Sequence, residues 1–151
     1  MSQYDQIEAV RTTITKMVNA IDAKDWRTAV EQFTTVVFVD YSSMSGEPGG
    51  EVRASDLVGS WEQLLAEAST HHMLTNFEIT IDNADAESMA HVYASHTADG
   101  IDYWDIFGRY QHRLKLTDDG WQITFMKLIV HGQKGNKRFL EELSSRCLLY
   151  T

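Results

Sequence analysis

From His71 to about residue 131 the chain keeps one rhythm, with apolar and polar side chains alternating at a period of two between turn-forming residues. Successive side chains of a strand point to opposite faces, so such a run folds as half-buried sheet and not as helix. The alternation predicts four strands, near 71–82, 87–98, 101–117 and 121–131. The second sets Ala90, Val92, Ala94 and His96 on one face, with His91 and Tyr93 on the other. The third sets Trp104, Ile106, Tyr110, His112, Leu114 and Leu116 against Arg109, Gln111, Arg113 and Lys115. Asp118-Asp119-Gly120 marks a hairpin, because Asp-Gly tolerates the positive φ that tight turns need. Trp121, Ile123 and Phe125 alternate in the last strand.

The first half of the chain has a different period. Ile7, Val10, Ile14, Met17, Val18 and Ile21 recur at helical spacing, which predicts an amphipathic helix over 4–22. Asp22 falls at the edge of that stripe, where a carboxylate at a helix C-terminus opposes the macrodipole at a cost of roughly 0.3–1 kcal/mol. It is a poor place for an acid unless something nearby needs it. Asp25 is placed to cap a short second helix through Trp26, Ala29, Val30 and Phe33. Thr34 to Tyr41 is β-branched and aromatic, a strand with Val37, Val39 and Tyr41 on one face. Residues 42–54 carry the only proline and three of the nine glycines and read as a loop. Ser55 is placed to cap a helix whose stripe is Leu57, Trp61, Leu64, Leu65 and Ala68, and the chain closes on a helical stretch around Phe139, Leu140, Leu143 and Cys147.

Helices first and a long meander afterwards define an α+β domain, here spanning 1–151. A strongly curved mixed or antiparallel sheet, packed by the N-terminal helices, makes a cone around a central pocket. Ala90 and Ala94 on its inward face leave room for a small-molecule ligand. No run of about 18 apolar residues could span a membrane. The start Met1-Ser2-Gln3-Tyr4-Asp5 lacks the basic-then-apolar pattern of a leader, so the expected location is cytoplasmic. A net charge of −9 repels phosphate backbones, which argues against nucleic acid as a partner. The single cysteine, Cys147, rules out an internal disulfide. Large Tyr93, Tyr103 and Phe107 share faces with charged or polar residues, and such a patch predicts a homo-oligomer, dimer or trimer.

The chemistry-bearing stretch is Ser69-Thr70-His71-His72-Met73-Leu74-Thr75-Asn76, where a helix gives way to a strand. A histidine at that point can face the cavity, held rigid by the ladder behind it. Phe77, Ile79 and Ile81 share parity with His71, so which of His71 and His72 turns inward stays open, and a bulge would reconcile an inward His72 with them. His96, Trp104, Tyr110 and His112 lie on inward faces and are expected to line the pocket. The adjacent His71 and His72 point to opposite faces, and no His-x-His or His-Glu-x-x-His pattern exists, so no metal or organic cofactor is expected. Eliminating water β to a carbonyl needs a base for the α-proton and an acid for the departing hydroxide. One histidine can serve both if a carboxylate fixes its tautomer, and Asp22 is the candidate for that role.

Four local pieces carry a family likeness: Asp22-Ala23-Lys24-Asp25-Trp26, Val39-Asp40-Tyr41, Thr70-His71-His72 and Asp119-Gly120-Trp121. With the layout above, the chain resembles the nuclear transport factor 2-like (NTF2-like) superfamily over nearly its whole length. The likeness is to the SnoaL-like branch around scytalone dehydratase and bile acid 7α-dehydratase. The resemblance implies a cystatin-like α+β roll, a catalytic pair at Asp22 and His72, a pocket tyrosine at Tyr41 and a second catalytic histidine near His96. It puts Met17 and Ile21 in the pocket wall, where those enzymes carry tyrosines. It also implies that residues 137–151, with Phe139, Leu140, Leu143, Leu148 and Leu149, close over the pocket mouth. The function it implies is a cofactor-independent lyase (dehydratase-like) or related isomerase on a small cyclic, polyketide-like or steroid-like substrate. Two other readings share the fold: a non-catalytic ligand-binding module, and a structural subunit resembling the small subunit of ring-hydroxylating dioxygenases. Fold alone does not choose among them.

Overall fold

Ser2 starts the first element. Its hydroxyl accepts the Asp5 N–H while the Asp5 carboxylate takes the Ser2 N–H, so two orphan donors of the helix end are satisfied reciprocally. The computed structural model describes residues 1–149, with side chains as far as Arg146; the side chains of Cys147, Leu148 and Leu149 lie outside the described residues. Helix α1 runs Gln3–Ala23 and lays Val10, Ile14, Met17, Val18 and Ile21 across β3 (Ala68–Asp82) and β6 (Gly120–Gly135). Each such side chain removed from water contributes roughly 1.5–3 kcal/mol. Asp25 caps α2 (Trp26–Glu31) by accepting the Thr28 N–H, and β1 (Phe33–Asp40) follows. No helix among the described residues is long and apolar enough to cross a membrane.

Between residues 42 and 54 the expected loop contains two short elements, α3 (Ser42–Ser45) and the edge strand β2 (Gly50–Arg53). Four residues with a glycine and two charges carry no strand signal of their own, and β2 forms because its backbone pairs with β1. Tyr41 leaves the strand and sits at the N-terminal cap of α3, where its ring still turns inward. Helix α4 (Ala54–Leu64) starts one residue before Ser55, with Arg53 in the cap position and no side-chain cap. Ala68 does not belong to that helix; it opens β3 and is buried.

The sheet has six strands in the order β2-β1-β6-β5-β4-β3, with β4 spanning Asp85–Ala98 and β5 Ile101–Thr117. The β1–β6 pair is parallel and the others antiparallel, so the sheet is mixed. Register breaks bend it: between Thr75 and Glu78, His96 and Ala98, Phe107 and Gly108, and Arg113 and Leu114. Each adds local twist, and together they curl strands of 14 to 17 residues into a cone. At one of them a side chain is impossible, since a Cβ on Gly108 would lie 1.9 Å from the Ile129 carbonyl oxygen. Helix α5 (Phe139–Leu149) covers the wide end with Phe139 and Leu143 fully buried, so the tail is core as well as cover.

The break in β3 answers which histidine turns inward. Asn76 adopts φ +56° and lies within the register shift. Thr70, His72 and Leu74 face inward before it, and Phe77, Ile79 and Ile81 after it. His71 is exposed.

His112 departs from its expected place. It faces inward but does not line the cavity; it is 0% exposed, packed on the Tyr110 ring at 5.2 Å and paired in register with Ser88. Alternation fixes a face but not a depth along the cone, and the narrow end is filled by Val10, Ile14, Leu114 and Ile123. The bond from the Thr13 hydroxyl to the Trp121 carbonyl at 3.0 Å draws the first half of α1 into that end. Leu116, on the same face, emerges at the rim and is exposed. Neither ring nitrogen of His112 nor the Ser88 hydroxyl has a hydrogen-bond partner among the described residues, and burial pushes the His112 pKa down to about 3.

Two consequences are measurable. Asn tolerates the left-handed region and a β-branched residue does not, so Asn76→Val is expected to destabilise by about 1–2 kcal/mol and Asn76→Gly by much less. Urea unfolding checks both. For His112, the folded-state value lies below the unfolded value of about 6.5, so the unfolded chain takes up the extra proton as pH falls. Stability is therefore full above about pH 6.5 and drains between there and about pH 3, by up to about 1.4 kcal/mol per pH unit. His112→Leu is expected to hold or raise stability at neutral pH and to remove one proton's worth of that slope. Denaturation midpoints from pH 7 to 4 test it.

Candidate active site

The site is assembled where the end of α1 meets the start of β3. An edge strand leaves alternate N–H groups without a ladder partner, and the His72 N–H is taken by Asp22 Oδ2 at 2.8 Å. Asp22 Oδ1 accepts two more bonds, from the Thr70 hydroxyl at 2.9 Å and from His72 Nδ1 at 2.6 Å. Three donors from one strand thus compensate a carboxylate that the helix dipole disfavours. Burial alone would raise the Asp22 pKa. The His72 side-chain and backbone hydrogen bonds, the His72 charge and the Thr70 hydroxyl outweigh it and hold the carboxyl below its usual value. Lys24 takes the left-handed conformation that ends α1, and its ammonium donates to the Ala66 carbonyl at 2.9 Å, tying this corner to the approach to β3.

An ionised carboxylate only accepts, so His72 Nδ1 carries the proton toward Asp22 and Nε2 is the nitrogen left for the cavity. The same logic orients His96. Its Nδ1 lies 3.0 Å from the Trp104 carbonyl oxygen, which also only accepts. Burial dominates its titration and brings the pKa down to about 4, so at neutral pH His96 is uncharged with a bare Nε2. Its ring packs on Trp104 at 4.3 Å and on Phe139 at 5.9 Å, and stands edge-on to His72 at 6.3 Å.

Both imidazoles open into a cavity of about 540 Å³ at the wide end of the cone. Tyr41 and Tyr110 form the polar part of another wall. Burial pushes the Tyr41 phenol well above its ordinary value, with Tyr110 adding to it, and pushes Tyr110 up to about 12, with Asp22 adding to it. Both phenols stay protonated, and neither has a hydrogen-bond partner among the described residues. Most of the remaining wall is apolar, with Met17, Ile21, Val39, Leu57, Leu65, Ile106, Met126 and Leu128 around the sides, and Thr70, Ser60 and Glu51 add polar groups.

Of the residues anticipated from sequence, Met17, Ile21, Tyr41, His72, His96, Trp104 and Tyr110 line this cavity. Asp22 stands behind His72, and His112 lies below the floor. Leu140, expected in the segment over the pocket mouth, lines it too, whereas sequence reasoning missed Thr70, Trp61 and Met44, which also line it. Thr70 shares parity with His72, a signal that would have found it; Trp61 sits on a helix stripe that reads as ordinary core. Among the described residues no three His, Cys, Asp or Glu side chains converge as a metal ligand set requires.

Solved structures share this architecture. A protein from Kribbella flavida superposes with a TM-score of 0.87 at 25% identity, over 93% of this chain and 99% of that one. A Novosphingobium aromaticivorans protein that bears the provisional name scytalone dehydratase gives 0.76 at 16% identity, over 87% of each chain. The beta subunit of benzoate 1,2-dioxygenase from Burkholderia mallei gives 0.67 at 11% identity, over 80% of this chain and 87% of that one. At the last two identities the likeness is one of fold. No curated protein sequence matches. The fold is the curled α+β roll of NTF2-like, cystatin-like proteins. The sequence pattern of the SnoaL-like domain covers residues 2–127, and the chain belongs to that family.

Proposed function

We propose that the protein is a cofactor-independent hydro-lyase, which removes water from a cyclic β-hydroxy carbonyl compound held in the cone. The observation that carries this reading is the 2.6 Å contact of Asp22 with His72 Nδ1, which leaves Nε2 as a base directed at the cavity. The substrate carbonyl accepts hydrogen bonds from Tyr41 and Tyr110, whose phenols remain protonated. His72 Nε2 takes the α-proton, and the C–H electron pair moves into the enolate, whose negative charge the tyrosines stabilise. Asp22 stabilises the imidazolium so formed. The enolate then expels the β-hydroxyl, which leaves as water with the proton returned from Nε2. His96, neutral and with Nε2 bare, accepts the hydrogen bond of the departing hydroxyl group and orients it. Relatives of the same fold bear provisional dehydratase names, which agrees with this chemistry without fixing it.

The reading extends to a homo-oligomer built on the outward sheet face. There Tyr93 stacks on Phe107 at 5.8 Å and donates to Asp105 at 2.6 Å, beside Met73 (48% exposed) and Tyr103 (51% exposed). Sedimentation at micromolar concentration is expected to show a dimer or trimer, and a monomer alone would remove this part of the proposal.

The catalytic proposal is tested with 3-hydroxy-1-tetralone, which becomes 1-naphthol on losing water, and with 1-tetralone in D2O, where NMR reads α-proton exchange. His72→Gln and Asp22→Asn are each expected to lower kcat/KM by at least about 100-fold, the range for positioned acid–base groups, with circular dichroism unchanged. Wild-type protein that binds these ketones yet neither dehydrates nor exchanges them would return the site to ligand binding.

A further inference from the structure

The cavity's charge and hydrogen-bond inventory restrict what it can hold. Thirteen lysines and arginines are present in the chain, and none lines the cavity; the residues beyond Arg146 contribute none by sequence. The one acidic residue that lines it among the described residues, Glu51, pairs in register with Phe38, on the strand face turned away from Val37 and Val52. His72, even when protonated, is balanced by Asp22 at 2.6 Å. His96 is neutral. No surplus positive charge is therefore available to a ligand anion, and a carboxylate or phosphate placed against this wall would be desolvated without a counter-charge.

Apart from Glu51 and the Ser60 and Thr70 hydroxyls, whose protons go to the Leu57 carbonyl and to Asp22, the polar side chains that line the cavity fall into two kinds at two places. Tyr41 and Tyr110 offer hydroxyl donors that no group among the described residues uses. The Nε2 atoms of His72 and His96 offer acceptors, because each Nδ1–H is already committed, to Asp22 and to the Trp104 carbonyl. Buried polar groups left unpaired on binding are costly, so a fitting ligand must meet both kinds.

We infer that the cavity selects an uncharged, ring-sized ligand with a carbonyl acceptor for Tyr41 and Tyr110 and a hydroxyl donor for His72 and His96, and that it rejects free acids and phosphates. This names the ligand class of the same site and rests on reading that cavity as functional, but it requires binding only, not turnover.

The test is calorimetric and uses near-isosteres that differ in charge. At pH 7.5 the full chain is titrated with 1-acetylnaphthalene, a neutral ketone, and with 1-naphthoate, its anionic counterpart. The ketone is expected to bind at least about 100-fold more tightly. Tyr41→Phe/Tyr110→Phe should weaken the ketone by tenfold or more while leaving naphthalene itself unchanged. Met44→Lys, a half-buried rim position, should raise naphthoate affinity and narrow the gap. Equal binding of ketone and naphthoate, or a ketone affinity indifferent to loss of both phenols, would overturn the inference whatever the catalytic assays show. Selective ketone binding without dehydration would leave it standing and remove the lyase reading.

Discussion

One carboxylate holds the functional end of this protein together. Asp22 takes three hydrogen bonds from two residues of β3, and through them the last turn of α1 is fixed against the edge of the sheet. The same bonds choose the tautomer of His72. A structural tie and a chemical instruction are therefore delivered by one side chain. Its position at the wrong end of a helix is intelligible only through its partners: an edge-strand N–H that would otherwise face solvent, a threonine hydroxyl, and an imidazole whose charge it can balance.

The cone depends on imperfections in regular strands. Breaks in register bend β3, β4, β5 and β6, and one of them requires Gly108 because the neighbouring backbone leaves no space for a Cβ. The break at Asn76 does more than bend. It reverses parity within β3, so that His72 and the apolar run Phe77, Ile79 and Ile81 all face inward from one strand. Without it, an inward histidine would turn that run to solvent.

Burial sorts the titratable groups of the inner face by depth. Tyr41 and Tyr110 keep their protons, while His96 and His112 are kept without charge. His72 alone among the inward-facing imidazoles is given a carboxylate. The contrast between His72 and His112 shows how the fold sets a histidine's surroundings: two inward histidines, one beside an acid and a cavity, the other beside an orphaned serine and no solvent.

The sequence by itself determined the element types and their faces. Period-two alternation announced four long strands, helical spacing gave α1 and its stripe, and Asp-Gly marked the β5–β6 turn. Those are local properties, set by where a residue's own backbone points its side chain. The likeness in four short pieces also pairs Asp22 with His72. Other features were decided by tertiary structure alone. β2 exists only because β1 offers it an edge. Trp61 became cavity wall, and not plain core, because α4 caps the wide end of the cone. His112 went to the floor and Tyr110 to the cavity, although both sit on the same face two residues apart. The reason is geometric: alternation records which side of a sheet a residue is on, and depth along the curled sheet is set by how far α1 fills the cone.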